Sequence, residues 1–444
     1  IAPLVTLVQS GTDGQKEEAA GALCMLTLDA GNRVAVAEAG AIALLVTLVQ
    51  SGTDGQKEEA AGALCMLTLD AGNRVAIAEA GAIAPLVTMV QSGTDRQKSN
   101  AAGALRNLAR IYENSVAIAE AGAIAPLVTL VQSGTDGQKE ESAGALRNLA
   151  RNAGNSVAIT QAGAIAPLVT LVQSGTDGQK EEAAGALCML TLDAGNRVAV
   201  AEAGAIALLV TLVQSGTDGQ KEEAAGALCM LTLDAGNRVA IAEAGAIAPL
   251  VTMVQSGTDR QKSNAAGALR NLARIYENSV AIAEAGAIAP LVTLVQSGTD
   301  GQKEESAGAL RNLARNAGNS VAITQAGAIA PLVTLVQSGT DGQKEEAAGA
   351  LCMLTLDAGN RVAIAEAGAI APLVTLVQSG TDRQKSNAAG ALRNLARNYE
   401  TSVAPSMTLV QSGTDGQTEQ AVCLLCGLTI AQLWTVVQRA WSWV

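Results

Sequence analysis

The chain has 444 residues, 49% of them hydrophobic, yet it contains no Phe, and its three Trp all fall in the last eleven positions. It has no His, which excludes His-dependent catalytic triads, His–zinc sites and imidazole proton shuttles. Lys plus Arg total 29 against 41 Asp plus Glu, a net charge of −12, so nucleic acid is not expected as a partner, because phosphate binding needs a basic surface.

In chain order, the first segment, from Ile1 to Ser10, reads as a helix that in later units follows a shorter one. The array is therefore expected to continue upstream or to be covered there by a partner, and Ile1 in place of Met leaves a leader segment open. The tetrapeptide Ser-Gly-Thr-Asp starts at Ser10, Ser51 and Ser92 and continues to Ser379, always 41 residues apart, with one more copy at Ser412 after only 33. Self-similarity at such a period predicts a solenoid, in which no unit buries its apolar faces without its neighbours. A longer repeat lies on top: residues 1–164 recur unchanged as 165–328.

Three helices are predicted within each unit. In the unit that contains Asn114–Arg151, a short helix opens on an Asn114 or Ser115 cap and stops at Gly122. A medium helix follows with Pro126 in its first turn and Gly134 at its end. A long helix of about 17 residues then starts on Thr135 or Asp136, with Ala143, Leu146 and Leu149 on its apolar face.

At the far end, Asn398–Gly413 lacks eight residues of the expected "IAEAGAIA" segment, so the last unit should dock differently. The tail 431–444 leaves the repeat; Leu433, Val437, Trp441 and Val444 share one helical face, as in a capping helix or a partner-binding tail. No stretch of about 18 apolar residues suggests a membrane span.

The period of 41, the three helices, the junction "EAGAIAPLV" (Glu120–Val128) and "ALRNLA" (Ala145–Ala150) together resemble armadillo repeats over nearly the whole chain. The resemblance implies an all-α, right-handed solenoid of about ten stacked three-helix repeats over 1–404, followed by a degenerate terminal repeat and Trp-bearing tail over 405–444. It implies a non-catalytic scaffold without cofactors or metals, whose long helices line a concave groove that binds extended or helical protein segments. Family members that bind extended peptides carry a Trp and, four residues later, an Asn on that face. Here the Trp position is Gly in every full repeat, from Gly21 to Gly390, which argues against an import-type adaptor for basic signals.

The Asn position divides the repeats into two types. Asn107, Asn148, Asn271, Asn312 and Asn394 occupy it in five repeats, each preceded by an arginine: Arg106, Arg147, Arg270, Arg311 and Arg393. These ten residues form the candidate groove site, since an amide can both donate to and accept from a peptide main chain. In the other five repeats the pair is Cys-Met, as at Cys24–Met25 and Cys65–Met66. The types also differ in charge. Unit 1–41 carries Lys16 and Arg33 against Asp13, Glu17, Glu18, Asp29 and Glu38, a net −3, whereas unit 83–123 is +1 and unit 124–164 is neutral. Alternating bands of potential can set register on a complementary partner, and the duplication would permit bivalent binding.

A second reading treats the chain as a structural spacer that contacts its neighbours through its outer face, its ends and the Trp tail. Two further motifs are weak. Cys423 and Cys426 have metal-like spacing but no second pair, and "GTDGQK" (Gly134–Lys139) is a helix start that only superficially resembles a phosphate loop. Cysteines one helix spacing apart are too distant for disulfides, so free thiols and an intracellular setting, cytoplasmic or nuclear, are expected.

Overall fold

A computed structural model describes residues 1–412 of the chain, with side chains as far as Arg397. Among the described residues every regular element is a helix, 29 in all. The chain divides into two units, Ile1–Asn237 and Arg238 onward.

Each unit repeats a short, a medium and a long helix, as in Tyr112–Glu120, Ile124–Ser133 and Asp136–Leu149. The breaks between them follow from local chemistry. Short and medium helices meet at 83–87°, and the corner residue is a glycine in the left-handed region, such as Gly122 at φ +81. A Cβ is disfavoured in that conformation, which explains the glycine. The medium helix ends at an extended Gly134, and Thr135 then caps the long helix. The Gln138 backbone N–H donates to the Thr135 hydroxyl (3.4 Å), and the Thr135 N–H donates to the Gln138 side chain (3.1 Å), a reciprocal capping box.

Two local expectations are corrected. Asn114 and Ser115 do not cap the short helix; that helix begins at Tyr112, with Ile111 at its cap. In the neighbouring repeats an Asp or Asn in the Ile111 position does the capping, as Asn152 does for the backbone N–H of Asn155. The long helix has 14 residues, because Thr135 is its cap and Ala150 and Arg151 turn away toward the short helix.

The core matches a chain without Phe. Each interior long helix buries an Ala-Gly-Ala-Leu run, as at Ala143, Gly144, Ala145 and Leu146, and each medium helix buries Leu and Val, as at Leu127 and Val128. Small residues let successive long helices lie side by side along their whole length.

In the second unit the chain from Asp382 to Ser412 is a single helix of 31 residues. The eight missing residues include the left-handed glycine, so the break between short and medium helices is lost; the deletion does not account for the helix also running through the long–short junction. The Trp-bearing tail and Cys423–Cys426 lie outside the described residues.

Candidate functional site

Eight of the ten candidate residues sit near the C-terminal ends of the long helices, and Arg393 and Asn394 lie in the middle of the helix Asp382–Ser412, in two columns that run along each unit. Both columns are tied to neighbouring repeats, and the type of neighbour decides how.

The asparagines reach one repeat back. Asn107 and Asn394 each follow a Cys-Met repeat and are buried. Their amides donate to the hydroxyls of Thr68 (3.1 Å) and Thr355 (3.2 Å). Those hydroxyls in turn donate to the carbonyls of Cys65 and Cys352. Asn148 and Asn312 follow Arg-Asn repeats, where an alanine replaces the threonine. With no hydroxyl in reach, they donate to the carbonyls of Arg106 (2.8 Å) and Arg270 (2.7 Å) and remain half-buried. Asn271 is buried.

The arginines reach forward, each across up to two junctions. Arg106 Nη1 meets Glu141 one repeat on (3.2 Å), and its Nη2 meets Glu182 two repeats on. Arg147 meets the same Glu182 (3.2 Å) and then Glu223. Glu182, only 7% exposed, is thus shared by two guanidiniums from different repeats. The second unit repeats the pattern: Arg270 pairs with Glu305 (3.1 Å) and Glu346, and Arg311 pairs with Glu346 (3.2 Å). Asn387 stands where Glu223 stands in the first copy, and Arg311 is correspondingly more exposed than Arg147. Arg393 is exposed.

The electrostatics follow this geometry. Burial works against the charge of Arg106, but Glu182 and Glu141 more than offset it and raise its pKa; Arg147 and Arg270 are raised in the same way by their glutamates. Burial, then the neighbouring Glu141, raises the pKa of Glu140, and burial with Glu305 does so for Glu304. In the Cys-Met repeats the thiols take the place of the guanidiniums. None of the five described cysteines is in a disulfide, and burial, followed by Glu141, pushes Cys65 up to about 12.

These side chains account for the glycines at the family's Trp position. A Cβ on Gly144 would lie 2.5 Å from Nε of Arg106, and one on Gly185 would lie 2.6 Å from Nε of Arg147. On Gly103 and Gly390 it would meet the sulfurs of Cys65 and Cys352 at 2.8 Å. In these repeats the space that a Trp would fill is occupied by the preceding repeat; at Gly21 the nearest atom is instead a carboxylate oxygen of Glu59 in the following one, at 3.1 Å.

Sequence reading missed two further columns. Gln56, Gln138 and Gln179 are buried, and each donates to the carbonyl of the Asp that opens the preceding long helix, at 2.9–3.0 Å. Asn73 and Asn155, on the short helices, donate to Arg33 and Ser115 carbonyls one repeat back. The signal was available: the first slot holds Gln in every repeat, and the second holds Asn in every repeat from Asn32 to Asn360, with Thr401 in its place only in the last. Among the described residues no group of three or more Cys, Asp or Glu is placed to hold a metal ion, and no single helix is long and apolar enough to cross a membrane.

Nine consecutive segments, 29–68, 70–110, 112–151, 152–191, 193–232, 234–274, 276–315, 316–355 and 357–397, match the Armadillo/beta-catenin-like repeat. The chain belongs to the armadillo-repeat family. A solved structure similar to it is the crystal structure of an engineered protein, at 31% identity and a TM-score of 0.78, with 89% of this chain and 98% of that one covered. No curated protein matches. Armadillo repeats are generally protein-interaction scaffolds, and solenoids of this family are typically non-enzymatic.

Proposed function

We propose that this armadillo-repeat chain is a non-catalytic scaffold that binds an extended or helical protein segment along its long-helix face, in register with the repeats. The observation that carries this reading is the state of Asn148 and Asn312. One amide N–H of each is held by a backbone carbonyl of the preceding repeat, while the side chain stays half-buried. An amide so fixed keeps a second N–H and a carbonyl oxygen for a ligand main chain, at little further entropic cost. The flanking Arg106, Arg147, Arg270 and Arg311 border the same face. Asn107, Asn271 and Asn394 serve it from deeper positions, and the exposed Arg393 extends it at the end of the array.

The test is capture of partners from a cell lysate by the full chain and by an Asn148→Ala/Asn312→Ala variant of matched helicity. A partner lost only from the variant is the expected result; identical capture would remove the groove reading. The non-disulfide cysteines fit a reducing intracellular compartment, and localisation of a tagged chain in living cells tests that part.

A further inference from the structure

The two repeat types also differ where the long helix turns into the next short helix. In the Cys-Met repeats this corner reads Thr-Leu-Asp, and its leucine points into solvent: Leu28 is 55% exposed, Leu69 40%, Leu192 51% and Leu233 42%. Val34, Val75 and Val198, on the short helices that follow, are exposed as well; so are Val157 and Val321 after Arg-Asn repeats, so the leucine, not the valine, separates the two types. In the Arg-Asn repeats the leucine's slot holds Arg110, Arg151, Arg274 or Arg315, each exposed. The same fold therefore accepts a charge at this corner, and packing does not require the leucine. The exposed corner leucines come as adjacent pairs in repeats 1–2 and 5–6, each pair followed by two repeats that carry arginine instead, and once singly at Leu356 in repeat 9.

We infer that these paired corners are a docking surface for a basic amphipathic helix of a partner protein. Spacing selects a helix. Adjacent repeats stack at roughly 8–10 Å, and a helix returns the same face every seven residues, about 10.5 Å along its axis. An extended strand advances about 10 Å in three residues, which turns the third side chain to the opposite face. Charge selects a basic partner. Each Cys-Met repeat in the pair 1–82 carries −3, giving −6 against +1 for the pair 83–164. Asp29 adjoins Leu28, and Glu38 lies one turn beyond Val34 on an exposed position of the short helix. At the two corners Arg33 has its guanidinium on the carbonyls of Thr27 (2.9 Å) and Leu28 (3.1 Å) and Arg74 on those of Thr68 (2.8 Å) and Leu69 (3.1 Å), while Arg110 of the next repeat lies near Arg74 at the edge of the pair. The same charge disfavours a second copy of this chain as occupant, since two acidic faces would meet. This surface lies beside the Asn and Arg columns and does not depend on them.

The probe is a fluorescein-labelled 18-residue helix with leucines at i, i+3, i+7 and i+10 and lysines elsewhere, paired with a twin in which glutamate replaces lysine. Fluorescence anisotropy with the full chain is expected to show saturable binding of the lysine helix and at least 10-fold weaker binding of the glutamate twin. The variant L28R/L69R/L192R/L233R installs the residue that the other repeats already hold there, so it should keep its helicity. It is expected to bind the lysine helix at least 10-fold more weakly. L28S/L69S/L192S/L233S, which leaves the charge unchanged, is expected to lose at least fivefold. Binding should survive Asn148→Ala/Asn312→Ala, which separates this surface from the groove. Unchanged affinity in the Ser variant would reduce the effect to bulk charge and overturn the inference, as would equal binding of the two helices. Sedimentation that shows the wild type, but not the Arg variant, self-associating in the absence of the probe would overturn it in favour of a second copy of the chain.

Discussion

At the scale of single residues, what a glycine does depends on what the neighbouring repeat lays over it. Gly144 and Gly185 leave room for a guanidinium that must reach two repeats on. Gly185→Ala gains about 1 kcal/mol of helix propensity, but its Cβ would drive Arg147 off Glu182 and Glu223. A net loss of about 1–2 kcal/mol is expected, allowing for the partial exposure of the arginine. Gly137 lies in the first turn of its helix with only the Ser99 hydroxyl nearby, at 3.9 Å. Gly137→Ala should therefore stabilise by about 0.5–1 kcal/mol. Thermal midpoints followed by circular dichroism check both, and a rise for both variants would contradict the account of the glycine column.

Cys65 makes a prediction about pH. Burial raises its pKa from an ordinary 9.0 to about 12. Above pH 9 the thiol of the unfolded chain ionises while that of the folded chain keeps its proton, so stability present below pH 9 is lost as pH rises toward 12. At pH 8 the folded thiols should resist iodoacetamide. All five described cysteines lie in the same tryptic peptide, EEAAGALCMLTLDAGNR, so one mass-spectrometric ratio reads them together. That ratio should rise steeply only when denaturant is added.

At the scale of helices, most breaks were legible because they depend on a few adjacent atoms. The left-handed glycine, the capping threonine and the extended glycine before it sit at fixed offsets in the sequence. Asn114 is no cap because the short helix starts at the same place in every repeat, Tyr112 here and Ala153 in the next, and the Asn114 amide instead donates to the carbonyl of Arg74 one repeat back (3.5 Å). The capping glutamine was legible only in part. Its backbone donation to Thr135 is local, but its side-chain N–H donates to Asp95, 43 residues earlier. Gln138→Ala removes the box and leaves a buried carbonyl without its donor, so it should cost about 2–3 kcal/mol, more than an exposed cap. Amide exchange in Asp95–Leu108 and Asp136–Leu149 should quicken together; faster exchange in the second helix alone would mean that the glutamine acts only as a cap.

At the scale of the whole molecule, the order of repeat types carries information that no single repeat holds. An Arg-Asn repeat completes its ion pairs only when glutamates stand one and two repeats ahead. In the first unit, Arg106 and Arg147 meet this condition through Glu141, Glu182 and Glu223. Glu182→Gln removes the carboxylate that two guanidiniums share and should lower stability by about 2–3 kcal/mol, less than for a fully buried pair. Its effect should spread over three consecutive long helices, from Asp95 to Leu190. Hydrogen exchange confined to Asp177–Leu190 would refute the ladder as a link between repeats. Because solenoid stability is a sum of repeats and their interfaces, such changes should appear as early local opening before global unfolding.

The sequence by itself determined the repeat, its period, the three helices and the family, since each rests on short-range patterns copied nine or more times. It also identified the alternating Cys-Met and Arg-Asn slot as the variable feature. Tertiary structure decided what the slot does. The partners of Arg106 lie 35 and 76 residues away, and the depth of Asn107 or Asn148 depends on whether a threonine or an alanine stands about 40 residues earlier. Helix and turn signals are local, and a linear reading captures them. A side chain's hydrogen-bonding capacity is divided among neighbours in space, and only the stacked repeats show how much the protein itself has already used.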